Sequence, residues 1–299
     1  IGCGGGGDGM DTPDSGGGDG GVTPDTGTGD DGGGDDAGGD DAAASDAGNA
    51  CEGVTCVHGS CSPATGLCEC DDGWDGDTCE EPVLSVSDGL VLWLDATDVD
   101  TLTFAETTGD AMAWTDKSPA AHVFTPAAAS NGPSLGGING RAALSFDGVD
   151  DHLSTDGFDG VEDELRYTMF FVVSAESGNQ ILTGYDGTNE RIRLRDSGFG
   201  MTYVHKVPAA ESSTFSLFER YATGDVHIVT VQRTNQDTSI WIDGGFRIAV
   251  PADNPEALPG SLSLTLGDDL QMGEGTPLQG ELGEVVMYDS ALDFETRER

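Results

Sequence analysis

Six cysteines, Cys51, Cys56, Cys61, Cys68, Cys70 and Cys79, fall within 29 residues of a 299-residue chain. Thiols at that density either oxidise in pairs or ligate a metal. No pair has the C-x2-C spacing of a structural zinc site, and six ligands exceed zinc's usual four. An even set in so short a span reads instead as a disulfide framework, for which counting alone allows fifteen pairings. A segment of this size cannot bury enough apolar surface to fold unaided. Disulfides of this kind belong to oxidising compartments, so the chain is expected to be exported and to work outside the cytoplasm.

Three other groups of residues carry potential chemistry. Asp147, Asp150 and Asp151 crowd one turn; hard oxygen ligands at that spacing suit Ca2+, and Asp also favours such turns through local backbone bonds. Arg191, Arg193 and Arg195 line one face of a strand whose other face carries Ile192 and Leu194. That basic stripe could grip carboxylated or sulfated glycans by bidentate contacts, or pair with acids of its own domain. Trp241 lies between Ile240 and Ile242. If the isoleucines face the core, the indole faces outward and could stack on a sugar ring; the alternative packs Trp241 between sheets. The histidines His58, His122, His152, His205 and His227 are scattered and read as surface or hydrogen-bonded side chains. There is no G-x-S-x-G elbow and no H-E-x-x-H.

The elements that must position these groups follow from composition and period. Residues 4–50 are dominated by Gly, Asp, Ala, Ser and Thr, with twelve Asp and no base, and read as a disordered, self-repelling tether. The chain carries 55 acids against 12 bases, a net charge of −43, and every Lys and Arg lies from Lys117 onward. So negative a chain repels nucleic acid and anionic membrane surfaces. No apolar stretch approaches the 18 residues of a spanning helix. From Leu84 the texture changes to period two. Leu90, Leu92 and Leu94 share one face of a strand, as do Leu144 with Phe146 and Leu262, Leu264 and Leu266. Met169 to Val173 is apolar on both faces, the pattern of a central strand. Ile240 to Ile242, Asp243-Gly244 and Phe246 to Val250 form a hairpin with its turn dipeptide in place. About a dozen such strands with almost no helical period predict an all-β fold, a two-sheet antiparallel sandwich. Ser290 to Arg299 reads as a capped helix just beginning, so more chain is expected beyond it.

Two resemblances sharpen this reading. The run Cys61, Gly66, Cys68, Cys70, Gly73-Trp74-Asp75-Gly76 and Cys79 resembles an EGF-like module. That resemblance implies the pairs Cys51–Cys61, Cys56–Cys68 and Cys70–Cys79. Its calcium-binding subtype is not implied, because Gly48-Asn49-Ala50 precedes Cys51. Further on, Leu90-Val91-Leu92-Trp93-Leu94-Asp95-Ala96, Trp114-Thr115-Asp116-Lys117-Ser118, Asn139-Gly140-Arg141 through Asp151, and Gly280 to Asp289 resemble, in order, the bacterial laminin-G-like, concanavalin-A-like jelly rolls. The resemblance implies a sandwich with a concave face and rim loops, calcium at the rim in some members, and glycan or protein binding. Some members cleave glycans with paired carboxylates in an E-x-D-x-x-E run. No such run is present; Glu281 and Glu284 come nearest, and their odd spacing predicts opposite strand faces. Glu162-Asp163-Glu164 reads as a solvated loop.

Finally, Ile1-Gly2-Cys3 before a glycine-rich run resembles the end of a bacterial lipoprotein signal, which implies a lipid on Cys3 and a sequence that starts inside the signal; the alternative is an unpaired thiol. The expected organisation is an anchor and tether over 1–50, an EGF-like module over 51–80 and a β-sandwich over 83–299. The expected function is a surface-anchored, non-enzymatic binding protein of the outer surface or periplasm. Its partner is an extracellular glycan or surface glycoprotein, Ca2+ is the one candidate ion, and the membrane is reached through the lipid alone. A divergent glycanase and a purely structural envelope component are the alternatives.

Overall fold

The computed structural model describes residues 50–71, 73–161, 166–176, 180–196, 201–205, 213–216, 224–251, 258, 260–270 and 277–297. Cys3, the tether and Glu162-Asp163-Glu164 lie outside the described residues.

The cysteine-rich segment folds on its cross-links. Disulfides join Cys51 to Cys61, Cys56 to Cys68, and Cys70 to Cys79. Between them β1 (Gly59–Cys61) pairs antiparallel with β2 (Cys68–Cys70), and β3 (Trp74–Asp75) pairs with β4 (Glu81–Pro82). Cys79 is the one apolar side chain fully buried among the described residues of this module. Covalent bridges therefore replace the hydrophobic core that about 30 residues cannot build.

The rest is all-β apart from short 3-10 turns and one helical turn. Its strands are β5 (Leu90–Asp95), β6 (Leu102–Phe104), β7 (Ala111–Thr115), β8 (Val123–Phe124), β9 (Ser134–Ile138) and β10 (Arg141–Asp147). Then come β11 (Leu153–Phe158), β12 (Tyr167–Ala175), β13 (Gln180–Tyr185), β14 (Glu190–Asp196), β15 (Met201–His205) and β16 (Ser213–Ser216). The chain closes with β17 (Val226–Arg233), β18 (Asp237–Ile242), β19 (Gly245–Pro251), β20 (Leu262–Leu266), β21 (Gln279–Tyr288) and the turn α1 (Phe294–Arg297). An eight-stranded sheet runs β19-β18-β17-β12-β21-β10-β9, with β5 also on β21. A six-stranded sheet runs β11-β20-β13-β14-β15-β16, and β6-β7-β8 form a third. The long strand β21 divides one of its edges, taking β10 along Gln279–Leu282 and β5 along Glu284–Tyr288.

Period-two alternation places the core between the sheets. Met169, Phe171, Val229 and Val231 of the larger sheet meet Ile192, Leu194, Leu262, Leu264 and Leu266 of the smaller, and Trp114 and Phe124 of the third sheet join the same cluster. One set of polar groups in this space is paired. Tyr167 of the larger sheet hydrogen-bonds across to Tyr203 and, at 2.8 Å, to Nδ1 of His205. Burial pushes the Tyr167 phenol up to about 12, so it stays a neutral hydroxyl.

Two bulges change faces that simple alternation predicts. Val172 opposes Glu284 while Val173 opposes Leu282, which leaves Gly283 as an extra residue. Leu282 and Val285 consequently both point into the core. Glu281 and Glu284 thus share the outer face of β21, a correction to the expectation of opposite faces. A second irregularity lies between Met287 and Tyr288, opposite Leu92 and Leu90. It turns Leu90 to the outer cluster while Leu92 and Leu94 remain in the core. At the other end of β21, Gly280 has φ of 152°, and a Cβ there would sit 2.0 Å from the carbonyl oxygen of Ser174.

Candidate functional site

The outer face of the eight-stranded sheet is the place where both ends of the sandwich chain converge. Strands β12 and β21 are apolar on both sides, so their outer residues need a cover of their own. Trp93, Val286 and Tyr288 form a second buried cluster there, with Phe170, Leu90, Leu84, Val86 and Leu292 packed against it. Phe170 and Tyr288 meet edge to face at 6.3 Å. The linker that follows β4 supplies one wall: Val83 donates its amide to Gly73 of the cysteine-rich module, and the Tyr288 hydroxyl donates to the carbonyl of Val86 at 2.9 Å. The segment after β21 supplies the other. The Thr168 hydroxyl donates to the carbonyl of Ser290 and accepts from the amide of Leu292, whose carbonyl takes a hydrogen bond from Gln232 Nε2 at 2.6 Å.

Between these walls lies a groove of about 630 Å3, lined by Phe170, Val172, Ile228, Thr230, Trp241, Glu284 and Tyr288 among others. Trp241 reaches it because the β18–β19 hairpin fixes the register. Asp243 and Gly244 take φ of 53° and 69°, the left-handed pair of a tight hairpin turn. The Asp243 carboxylate accepts the Ile228 amide at 2.9 Å and pairs with His227 at 2.8 Å. Ile240 enters the core, and Trp241 takes the opposite face. The indole is 8% exposed, with Phe246 edge-on at 5.8 Å and the Arg297 guanidinium 4.0 Å above its ring. The groove thus ends on an aromatic ring with a cation over one face.

Glu284 is the acid that lines the groove. Its Oε1 accepts a hydrogen bond from Trp93 Nε1 at 2.9 Å. Burial raises its pKa, opposed by that bond, and nearby Asp95 raises it further. Asp95 is the cross-strand partner of Glu284, but its carboxylate is committed to the amide and hydroxyl of Thr97 and to Lys117. Lys117 also pairs with Asp98 at 2.9 Å and lies over the Trp93 ring at 4.0 Å. Sequence reasoning missed Phe170 and Tyr288 as groove residues. The signal that could have found them is the double-sided apolar pattern of β12 and β21.

The other candidates lie elsewhere and apart. Asp147, Asp150 and Asp151 bring carboxylate oxygens within 4.8 Å of one another in the turn after β10. Asp147 Oδ1 accepts the Val149 amide, Asp151 Oδ2 accepts the Asp147 amide, and Asp150 Oδ2 accepts from Asn131 Nδ2. Each side chain keeps its second oxygen clear of described donors. Burial, ahead of the neighbouring acids, lifts Asp151 to about 6. Of the arginine stripe on β14, Arg191 is 5% exposed and bonded to Asp186 in the preceding turn through Nε at 2.7 Å and through Nη2. Arg193 pairs with Glu190 at 3.0 Å. Arg195 is half-buried on the same face and has a partner too. Arg191 and Arg193 therefore sit in ion pairs of their own domain, one of the two readings the stripe's spacing allowed.

No protein-family model matches the chain, and no curated protein does. Solved structures do. The sandwich is similar to domain 4 of AbnA, a GH43 extracellular arabinanase from Geobacillus stearothermophilus, solved in complex with arabinotriose: 12% identity, TM-score 0.52, with 71% of this chain and 97% of that one covered. It is similar to the binding domain of botulinum neurotoxin serotype G, at 10% identity and TM-score 0.50. It is also similar to the binding domain of botulinum neurotoxin DC in complex with SialylT, at 12% identity and TM-score 0.52. The chain spans about half the length of those toxin domains. The likeness is one of fold.

Proposed function

We propose that this chain is the glycan-binding part of an exported surface protein, with the sugar seated in the groove on the outer face of the eight-stranded sheet. The observation that carries the reading is the composition of that groove: ring faces and edges from Trp241, Phe170 and Tyr288 beside the carboxyl of Glu284 and the guanidinium of Arg297. Aromatic surface covers the apolar C–H face of a pyranose or furanose, while a few placed polar groups fix its hydroxyls. The similarity in fold to domains solved with arabinotriose and with SialylT supports a sugar as the ligand class. Binding is favoured over cleavage because the carboxylate paired across strands with Glu284, on Asp95, is already satisfied by Thr97 and Lys117.

In this proposal the disulfide-bonded segment is an EGF-like module that stiffens one end of the groove, and a lipid on Cys3 with the Asp-rich tether holds the sandwich away from the cell surface. The acidic turn fits a calcium ion in its donor chemistry: three carboxylates whose second oxygens have no described donor would supply hard ligands, and the ion would fix the loop between β10 and β11. The test is a glycan array with the purified protein, repeated with Trp241→Ala and with calcium chelated. Binding that survives in wild type and falls in Trp241→Ala supports the groove. An array on which wild type binds no sugar overturns it.

A further inference from the structure

A second cavity, of about 250 Å3, opens on the same face, lined by Trp93, Thr97, Arg141 and Ala142 among others. It shares Val83, Leu84, Val172 and Glu284 with the larger groove. Glu284 is therefore a divider seen from both sides, and the two spaces are segments of one trough. We propose that the trough takes an uncharged oligosaccharide of more than one unit, with Arg141 at one end and Trp241 at the other. The proposal rests on the glycan reading above and adds the length and charge class of the ligand.

Three observations carry it. First, Arg141 forms no ion pair with any described residue, although acids outnumber bases more than fourfold in the chain, 55 to 12. Its guanidinium is exposed at the cavity and close enough to Glu284 to favour that group's ionised form. Five N–H donors beside a carboxyl acceptor suit the alternating hydroxyls and ring oxygens of a sugar. Secondly, Glu284 spends Oε1 on Trp93, and no described donor meets Oε2. Glu284 lines both cavities, so a chain crossing from one to the other meets it. Thirdly, a net charge of −43 sets up a field that repels polyanions over the whole surface. Two arginines, Arg141 and Arg297, do not offset that field, so a polyuronate or sulfated chain is disfavoured against a neutral one.

The experiment is calorimetric titration of the protein with neutral cello-oligosaccharides and linear arabino-oligosaccharides of increasing length, and with oligogalacturonates of matched length. Wild type is compared with Arg141→Ala and Trp241→Ala, and thermal melts confirm that each variant folds. The expected result is affinity that rises with length in a neutral series and then levels. Arg141→Ala should weaken the longest ligands about tenfold, the loss of one hydrogen bond to a charged group, and leave the shortest unchanged. If Trp241→Ala weakens every length while Arg141→Ala changes none, the second cavity is unused; the trough falls and the groove stands. Tighter binding of oligogalacturonates than of neutral chains overturns the charge argument. No binding of any glycan by wild type removes both the trough and the function it rests on.

Discussion

Removing one bridge of the cysteine-rich module should unfold that module and loosen the groove while the sandwich stays intact. The Cys56–Cys68 disulfide closes a loop of sequence separation 12. Chain-entropy arithmetic for a loop of that size gives about 3 kcal/mol of stabilisation. A module of about 30 residues has a net stability of only about 1.5–4.5 kcal/mol at the usual yield per residue, and here Cys79 is the one fully buried apolar side chain among its described residues. The loss is comparable to the total, so the double variant Cys56→Ala/Cys68→Ala should populate an unfolded module at room temperature. Trp74, stacked on His58 at a ring separation of 3.5 Å, reports the change locally. Trp114 in the sandwich core reports the opposite, an unchanged melt. The assay is limited proteolysis with mass spectrometry alongside fluorescence-detected melting. Cleavage between residues 50 and 82 should appear in the double variant with the sandwich melting temperature unmoved. Glycan affinity should fall as well, because Val83 is held to Gly73 and lines both cavities. A double variant as protease-resistant as wild type would refute the claim that cross-links stand in for a core.

Other outcomes follow from the same geometry. Trp241→Ala should weaken glycan binding by about twofold to threefold. The 8% of Trp241 that is exposed amounts to roughly 20 Å2, or about 0.5 kcal/mol of apolar cover; titration calorimetry measures it. Gly280→Ala should cost at least about 2 kcal/mol, seen as a fall of several degrees in melting temperature, since its Cβ would strike the backbone of Ser174. Asp151 holds its proton up to about 6 in the folded protein, above the ordinary aspartate value of 3.8. The folded state therefore binds this proton more tightly than the unfolded one, and its contribution is present below about pH 4 and lost as pH rises to about 6. Chemical denaturation across that window should show the decline, and Asp151→Asn should flatten it. Millimolar calcium should raise stability above pH 6 in wild type and not in Asp151→Asn.

Much of this fold is legible in the chain because period two survives in most strands. Ile192 with Leu194, the leucines of β20 and the hairpin around Asp243-Gly244 lie where alternation puts them. What alternation cannot register is a bulge. One extra residue at Gly283 reverses the faces beyond it, so Glu284, which simple parity assigns to the side opposite Glu281, arrives on the same side and lines both cavities. Leu90 is displaced in the same way. The arginine stripe was visible, and so were its two possible uses; only the fold brings Asp186 and Glu190 against Arg191 and Arg193. The groove residues escaped notice for another reason. Phe170 and Tyr288 come from two strands far apart in sequence, and nothing local marks them as neighbours. The double-sided apolar character of β12 was readable as a central strand, and its outer half is the floor of the groove.

The account stands most directly on where a sugar lands. Adding a neutral oligosaccharide to isotopically labelled protein and following amide and indole shifts by NMR should move Trp241, Phe170, Glu284 and Tyr288 together, with the turn at Asp147–Asp151 and the β14 face of Arg193 silent. Shifts confined to that turn or to β14, with the Trp241 indole unmoved, would contradict it.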